Sequence, residues 1–164
     1  MSQVWTNALI RVSTTSSTAA AVVGTTTTGA VSEGTGMTDI SAYAGRCNLT
    51  REFDEHDDTV FGLTAHSRTP GLGSWGAELE MMQGFDAVGV NVDRFLNDII
   101  ASRGRVWVSM RACNTARSSD NPEYYGLARI FSHTPFDGAV GDLLKTNPAF
   151  RSAGSLLRAV CATA

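Results

Sequence analysis

The residues best suited to metal chemistry lie in one acidic segment, 54–58 (DEHDD). Four carboxylates and an imidazole adjoin there, and His66 follows; these are common ligands of calcium, magnesium and zinc. Neighbouring side chains of an extended segment point to opposite faces, so few of these groups converge on one ion. The histidine spacing of zinc proteases and the EF-hand pattern are both absent from the sequence. We therefore expect no metal site and interpret the segment as a solvated turn or a subunit contact.

Two further pairs could serve catalysis. A thiol nucleophile at Cys113 would need a base such as His133 in contact with it, and cysteine is also among the residues most often buried. Glu78 and Glu80 share one strand face, like the paired carboxylates of a glycosidase, but such pairs are more often an exposed polar face. The sequence has no glycine-rich phosphate loop and no nucleophile elbow. We predict a protein that is not an enzyme, with no catalytic residues and no cofactor.

Composition limits the remaining classes of protein. The 164 residues predict one domain, 1–164, and 43% hydrophobic residues are enough for a packed core. Charged residues make up only 18%, which suggests that another molecule covers part of the surface. The net charge of −3 argues against binding to nucleic acid or anionic lipid through broad charge attraction.

Localisation signals are weak in this sequence. No apolar run is long enough to span a membrane, and residues 1–11 lack the pattern of a signal peptide. The three cysteines fit neither a disulfide framework nor a zinc-ligand pattern. We expect synthesis in a reducing cytoplasm.

The elements that would position these residues are mostly strands. Period-two alternation or β-rich composition predicts strands over 4–12, 46–53, 75–82, 106–112, 124–133, 143–151 and 155–162. Turns are predicted over 54–62 and 66–74, and Ala153–Gly154 would join the last two strands. Residues 13–36, almost entirely Ser, Thr, Ala and Gly, predict an extended hairpin or a mobile loop.

One helix is predicted, from Asn91 as the N-cap to a stop at Gly104. Its apolar stripe follows helical spacing at Val92, Phe95, Leu96, Ile99 and Ile100. Many short strands and one helix predict a mainly β fold, an antiparallel sandwich or barrel with one flanking α-helix.

The strand over 75–82 has one apolar face, made by Trp75, Ala77, Leu79 and Met81. Glu78 and Glu80 must then point the opposite way, away from the core. No Lys or Arg occurs between Trp75 and Val92, so we expect nothing on this strand to neutralise the pair.

Several segments together resemble the major tail tube proteins of long-tailed (siphovirus-type) bacteriophages. The similar segments are 38–43 (TDISAY), 57–62 (DDTVFG), 65–66 (AH), 70–72 (PGL), 92–96 (VDRFL), 121–126 (NPEYYG), 138–143 (GAVGDL), Phe150, 154–156 (GSL) and Arg158. The resemblance runs from about Met37 to Arg158, which is most of the chain. Residues 13–36 depart from it as an enlarged loop.

The resemblance implies two packed antiparallel sheets with a flanking helix. It also implies sixfold rings that stack into a hollow virion tube, through which double-stranded DNA leaves without specific binding. Inner strands of neighbouring copies would join into one barrel, with Glu78 and Glu80 lining the lumen. The implied partners are the tail terminator, tape measure and distal tail proteins. Candidate inter-subunit residues are Asp57, Asp58, Thr59, Gly62, Thr25 and Thr28.

Two other classes of function stay open at this point. A β-sandwich module that decorates a virion or cell surface would need an aromatic cluster or a ligand pocket. A metal-dependent hydrolase would need convergent ligands in the acidic segment.

Overall fold

The computed structural model describes residues 8–13, 37–60, 65–85, 90–115 and 117–160. Within them the chain is mainly β, with one α-helix, as the sequence predicts. The strands are β1 (Leu9–Ser13), β2 (Thr38–Asp39), β3 (Ala44–Asp57), β4 (Arg68–Met82), β5 (Val106–Arg111), β6 (Glu123–Ser132), β7 (Lys145–Thr146) and β8 (Ala149–Ala159). Helix α1 (Val92–Ser102) lies between β4 and β5, and a 3-10 turn (Ser41–Tyr43) precedes β3. No helix in these ranges is long and apolar enough to cross a membrane.

All strand pairs are antiparallel, and they form one continuous sheet in the order β2-β1-β5-β6-β8-β4-β3, with β7 on β4. This sheet curls into two facing layers. The Cys47 thiol on β3 lies 3.5 Å from the Met110 sulfur on β5, although three strands separate β3 from β5 in the sheet order. Burial raises the pKa of Cys47 to about 11, so this thiol is a neutral packing group. The two predicted layers are thus halves of one hydrogen-bonded sheet.

The core lies between the layers and is closed by α1. Its largest fully buried apolar side chains come from several strands, from the helix and from two connections: Phe150, Ile10, Ile40, Met81, Leu96, Ile99, Val12, Val92, Val106, Val108 and Pro148. The predicted helix stripe is therefore on the buried side. The Asn91 side chain accepts a hydrogen bond from the Arg94 backbone N–H (2.9 Å), which confirms the N-cap.

The helix ends at Ser102, one residue earlier than the predicted last helical residue, Arg103. Arg103 takes the left-handed conformation (φ 49°) that glycine usually provides, and Gly104 follows it. The Ser102 hydroxyl compensates in part, because it donates to the Ile99 carbonyl (2.8 Å) and accepts from the Gly104 N–H (3.2 Å).

The turns predicted over 54–62 and 66–74 are wrong in extent. β3 continues to Asp57 and β4 begins at Arg68, so most of both segments forms a long hairpin. Pro70 is tolerated in β4 because that part of the strand has a partner on one side only; β8 joins β4 at residues 76–78. The proline and glycines of this segment therefore lie in a strand that pairs with β3 but not with β8, rather than in a turn.

The prediction of two final strands joined at Ala153–Gly154 is also wrong. Residues 149–159 form the single strand β8, and Ala153–Gly154 lie where its pairing with β6 shifts register. A small residue followed by glycine accommodates this β-bulge. The predicted strand residues 4–7 and nearly all of the 13–36 segment lie outside the described residues; Ser13 itself closes β1.

Candidate assembly surfaces

The side of the sheet away from the core forms a polar surface over β3, β4, β8 and the end of β6, here called the outer face. The alternation predicted for β4 is correct: Trp75, Ala77, Leu79 and Met81 are buried. Glu78 and Glu80 lie on the outer face, opposite Asn48 and Arg46 of β3.

The two carboxylates are neutralised by residues from distant parts of the sequence. Arg151 Nη2 lies 3.1 Å from Glu78 Oε1, and Lys145 Nζ lies 2.7 Å from Glu80 Oε1. The hydrogen bond from Lys145, and then its charge, lower the pKa of Glu80. The same contact raises the pKa of Lys145. The expectation of an unneutralised pair is therefore corrected, because cross-strand neighbours supply the cations that β4 lacks.

Arg151 crosses the outer face over Gly76. A Cβ at Gly76 would come within 2.7 Å of the Arg151 guanidinium, so the absence of a side chain lets Arg151 reach Glu78. A shallow groove of about 550 Å³ follows this crossing, lined by Thr50, Glu52, Ser74, Trp75, Gly76, Glu78, Arg151 and Ser152. It is polar and open, without the apolar enclosure of a small-molecule site.

The end of the β3–β4 hairpin, residues 53–72, extends beyond the core and is called the arm. Its described residues are almost all exposed, including Phe53 and Leu72. The arm carries four carboxylates and one arginine, a net charge of −3 that equals the net charge of the whole chain. The rest of the molecule is neutral overall, so the arm holds the chain's excess acidity.

Asp57, Asp58 and Thr59 begin the connection at the tip of the arm. Asp57 accepts from the Thr59 N–H (3.0 Å), and the Thr59 hydroxyl accepts from the Ser67 N–H (3.0 Å). The Thr69 hydroxyl donates to Asp58 (2.6 Å). The Thr59 hydroxyl also donates to Asp57, and these hydroxyl bonds from Thr59 and Thr69 lower the pKa of Asp57 and Asp58 respectively. The pattern is that of an Asx-type turn, which shapes the chain locally.

The catalytic and metal candidates do not assemble into sites. In the described residues no group of three or more His, Cys, Asp or Glu side chains is placed to hold a metal ion. Cys113 bonds through its backbone N–H to the Asn121 side chain (3.1 Å). His133 contacts the Thr146 hydroxyl (3.0 Å), and burial lowers the pKa of its imidazole. Gly62, Thr25 and Thr28, predicted to make subunit contacts, lie outside the described residues.

In the described part of the chain, two strand edges are open on the layer formed by β6, β8, β4 and β3. β3 is the last strand of the sheet there and pairs only with β4. β5 pairs with β6 only as far as Ala128, so residues 129–132 of β6 are paired only with β8 in the described part of the chain. Sequence reasoning missed both edges, because edges are set by which strands become neighbours.

A buried ionic cluster was also missed. Glu123 accepts from Arg11 (2.8 Å) and from the Ser109 hydroxyl, and Arg117 lies 3.3 Å away. Its side chain is 5% exposed. Arg111 lies directly opposite Glu123 on β5. No signal short of the strand pairing would have brought residues 11, 117 and 123 together.

No protein-family model and no curated protein matches the sequence, but solved structures match its fold. A chain in the virion of a native gene transfer agent particle superposes with a TM-score of 0.65 at 13% identity, covering 97% of this chain and 100% of that one. A chain in the tail of an empty gene transfer agent particle, computed with C6 symmetry, gives 0.64 at 15% identity, covering 98% and 100%. The SPP1 tail tube gives 0.61 at 10% identity, covering 94% and 77%. The chain therefore has the fold of tail tube proteins, as the resemblance in its sequence implies.

Proposed function

We propose that this chain is the structural subunit of a bacteriophage-type tail tube, in which copies join side by side into rings and the rings stack. The observation that carries the proposal is the pair of open edges on one layer, β3 on one side and residues 129–132 of β6 on the other. Open edges of this length normally pair with another strand or aggregate, and a closed ring of copies removes both.

Strand direction supports this joining. Within the layer the order is β6-β8-β4-β3 and every neighbouring pair is antiparallel, so β3 and β6 run in opposite directions. In a ring, β3 of one copy would lie beside β6 of the next and continue the antiparallel pattern. The C6 symmetry of the gene transfer agent tail supports a ring of six copies.

The outer face would then line a channel, and Glu78 and Glu80 would face the lumen. Side-by-side joining puts the outer faces of all copies on one continuous wall. In the described part of the chain this wall carries Glu52, Glu78 and Glu80 against Arg46, Arg129, Lys145 and Arg151. Because its charges are mixed and mostly paired, the wall would hold passing DNA weakly, which suits ejection of a genome without specific binding.

The arm would make contacts between copies, with Asp57, Asp58 and Thr59 at its tip and Gly62, Thr25 and Thr28 as further candidates. Its exposed apolar residues, Phe53, Val60 and Leu72, are available for such contacts. At the two ends of the tube, the tail terminator, tape measure and distal tail proteins would be the partners. The protein would be made in the host cytoplasm and reside in the virion tail.

Electron microscopy of purified protein over a range of concentrations tests the proposal. We expect rings or tubes to appear as the concentration rises. A protein that remains monomeric at high concentration would contradict a tube role and favour a surface decoration module.

The lumen assignment has a separate test. Replacing both Glu78 and Glu80 with Lys should leave the fold intact, since both side chains are largely exposed. It should make assembled tubes retain DNA with a salt-dependent affinity, because each copy changes by four charge units. Asp98→Lys on the exposed side of α1, which raises the charge of each copy by two units outside the outer face, serves as the control. A tube map with Glu78 and Glu80 on the outside would overturn the assignment without affecting the tube role.

A further inference from the structure

The outer face contains seven described charged residues, and most of them are matched within one copy. Glu78 pairs with Arg151, and Glu80 pairs with Lys145. Arg46 lies directly opposite Glu80, and its charge contributes to the lowered pKa of that carboxyl. Glu78, Glu80 and Arg151 lie on the central strands β4 and β8, and Lys145 on β7 and Arg46 on β3 lie beside Glu80.

Two charges of opposite sign are left over, Glu52 and Arg129. Both side chains are exposed, and neither forms an ion pair within the described residues. Glu52 lies on β3, at one open edge of the layer, and Arg129 lies on the open part of β6 at the other. A single copy thus presents an unmatched negative charge at one edge and an unmatched positive charge at the opposite edge.

The register of the sheet places Glu52 and Arg129 at similar positions along the strand direction. Arg129 lies opposite Arg151, which lies opposite Gly76, which lies opposite Thr50. Glu52 is two residues farther along β3 and points to the same face as Thr50. A stagger of two residues between neighbouring strands keeps every side chain on its face, and strands in a closed barrel are staggered in this way.

We propose that Glu52 of one copy forms an ion pair with Arg129 of the next copy, and that this pair selects the register in which β3 joins β6. The inference rests on the proposed side-by-side joining. Backbone pairing alone permits several registers, because slips of two residues keep the same faces together. Opposite charges favour one of these registers and penalise those that place Arg129 away from Glu52.

Charge exchange tests the pair. Glu52→Arg and Arg129→Glu should each raise the concentration needed for assembly about tenfold or more, because each puts like charges at every seam of a ring. The double variant, E52R and R129E together, restores opposite charges and should assemble within about threefold of the original protein. Sedimentation across a dilution series measures the assembly threshold, and circular dichroism confirms that each variant is folded.

Matched controls are available on α1. Asp98→Arg and Arg94→Glu make the same charge changes on exposed helix residues and should leave the threshold unchanged. Single variants that assemble normally, or a double variant no better than the singles, would overturn the ion pair while the tube role stands. An original protein that never assembles would overturn the proposed function as well.

Discussion

Glu123 and Glu78 lie on the same side of one sheet, yet their surroundings differ in kind. The Glu123 side chain is 5% exposed and contacts Arg11, Arg117 and Ser109. The Glu78 side chain is 55% exposed and, among the described residues, forms its ion pair with Arg151. One part of the non-core side is therefore covered by protein, and the other is open.

This difference indicates what each region is for. A buried charge cluster stabilises only while all its members are present, so the covered region behaves as a fixed part of the fold. Exposed ion pairs contribute little to stability and tolerate exchange of partners. The open region is therefore suited to meeting other molecules, and in the proposed tube it forms the channel wall and the seams.

Removing Glu123 should have the largest effect. Glu123→Ala removes the carboxylate that the mostly buried Arg11 and Arg117 contact, and we expect a loss of about 3–5 kcal/mol in the free energy of unfolding. Glu78→Ala is the matched change in the open region and should cost less than about 1 kcal/mol. Urea denaturation of both variants measures the two values. Equal losses would mean that the two regions do not differ as described.

Two glycines allow a similar comparison by packing, between the core, which Gly126 faces, and the open region, which Gly76 faces. A Cβ at Gly126 would lie 2.5 Å from Trp75 Cζ2 and 3.3 Å from the Ser155 carbonyl oxygen. Trp75 is buried and donates to the Gly154 carbonyl (2.7 Å), so its ring has little freedom to move. We expect Gly126→Ala to cost about 1–3 kcal/mol through overpacking.

Gly76→Ala is the control, because the nearest atom there is the end of the flexible Arg151 side chain. That side chain can swing away from Glu78 at the cost of one exposed ion pair, so the loss should be under about 1 kcal/mol. Thermal melting of the two alanine variants compares them directly. A Gly76→Ala loss as large as that of Gly126→Ala would show that Arg151 is fixed in place.

Local patterns in the sequence correctly predicted which face is buried in those elements where the periodicity of the element itself determines that face. The alternation of β4 and the apolar stripe of α1 are both correct, because each depends on residues within one element. The turn predicted around Pro70 was wrong, because a strand tolerates proline where it has no second neighbouring strand, and the sequence does not show where β8 joins β4. The turn predicted at Ala153–Gly154 was also wrong, because a β-bulge and a turn use similar residues.

Contacts between distant elements could not be predicted. Arg151 is 73 residues from Glu78, and Arg11 is 112 residues from Glu123, so neither pairing has a local signal. The open edges at β3 and at residues 129–132 follow from strand order, which the sequence pattern does not specify. The resemblance to tail tube proteins carried the fold prediction further than composition and spacing did.

The smallest expected effect concerns the titration of Glu80 in the open region. Lys145 lowers the pKa of Glu80 below 4.5 by hydrogen bonding and by charge, and Arg46 adds a smaller contribution. Because the lowered pKa belongs to the folded state, Glu80 adds stability at pH values above its unfolded pKa. That stability is lost as the pH falls through its folded pKa.

Lys145→Met should therefore raise the Glu80 pKa toward 4.5, with the remaining shift due to Arg46, and NMR titration of the carboxyl measures this. Arg151→Met, which removes the partner of Glu78, should leave the Glu80 titration in place. If the pKa of Glu80 stayed equally low without Lys145, Arg46 would be its principal partner. The edge strand β3 would then supply the main cation for Glu80 in the open region.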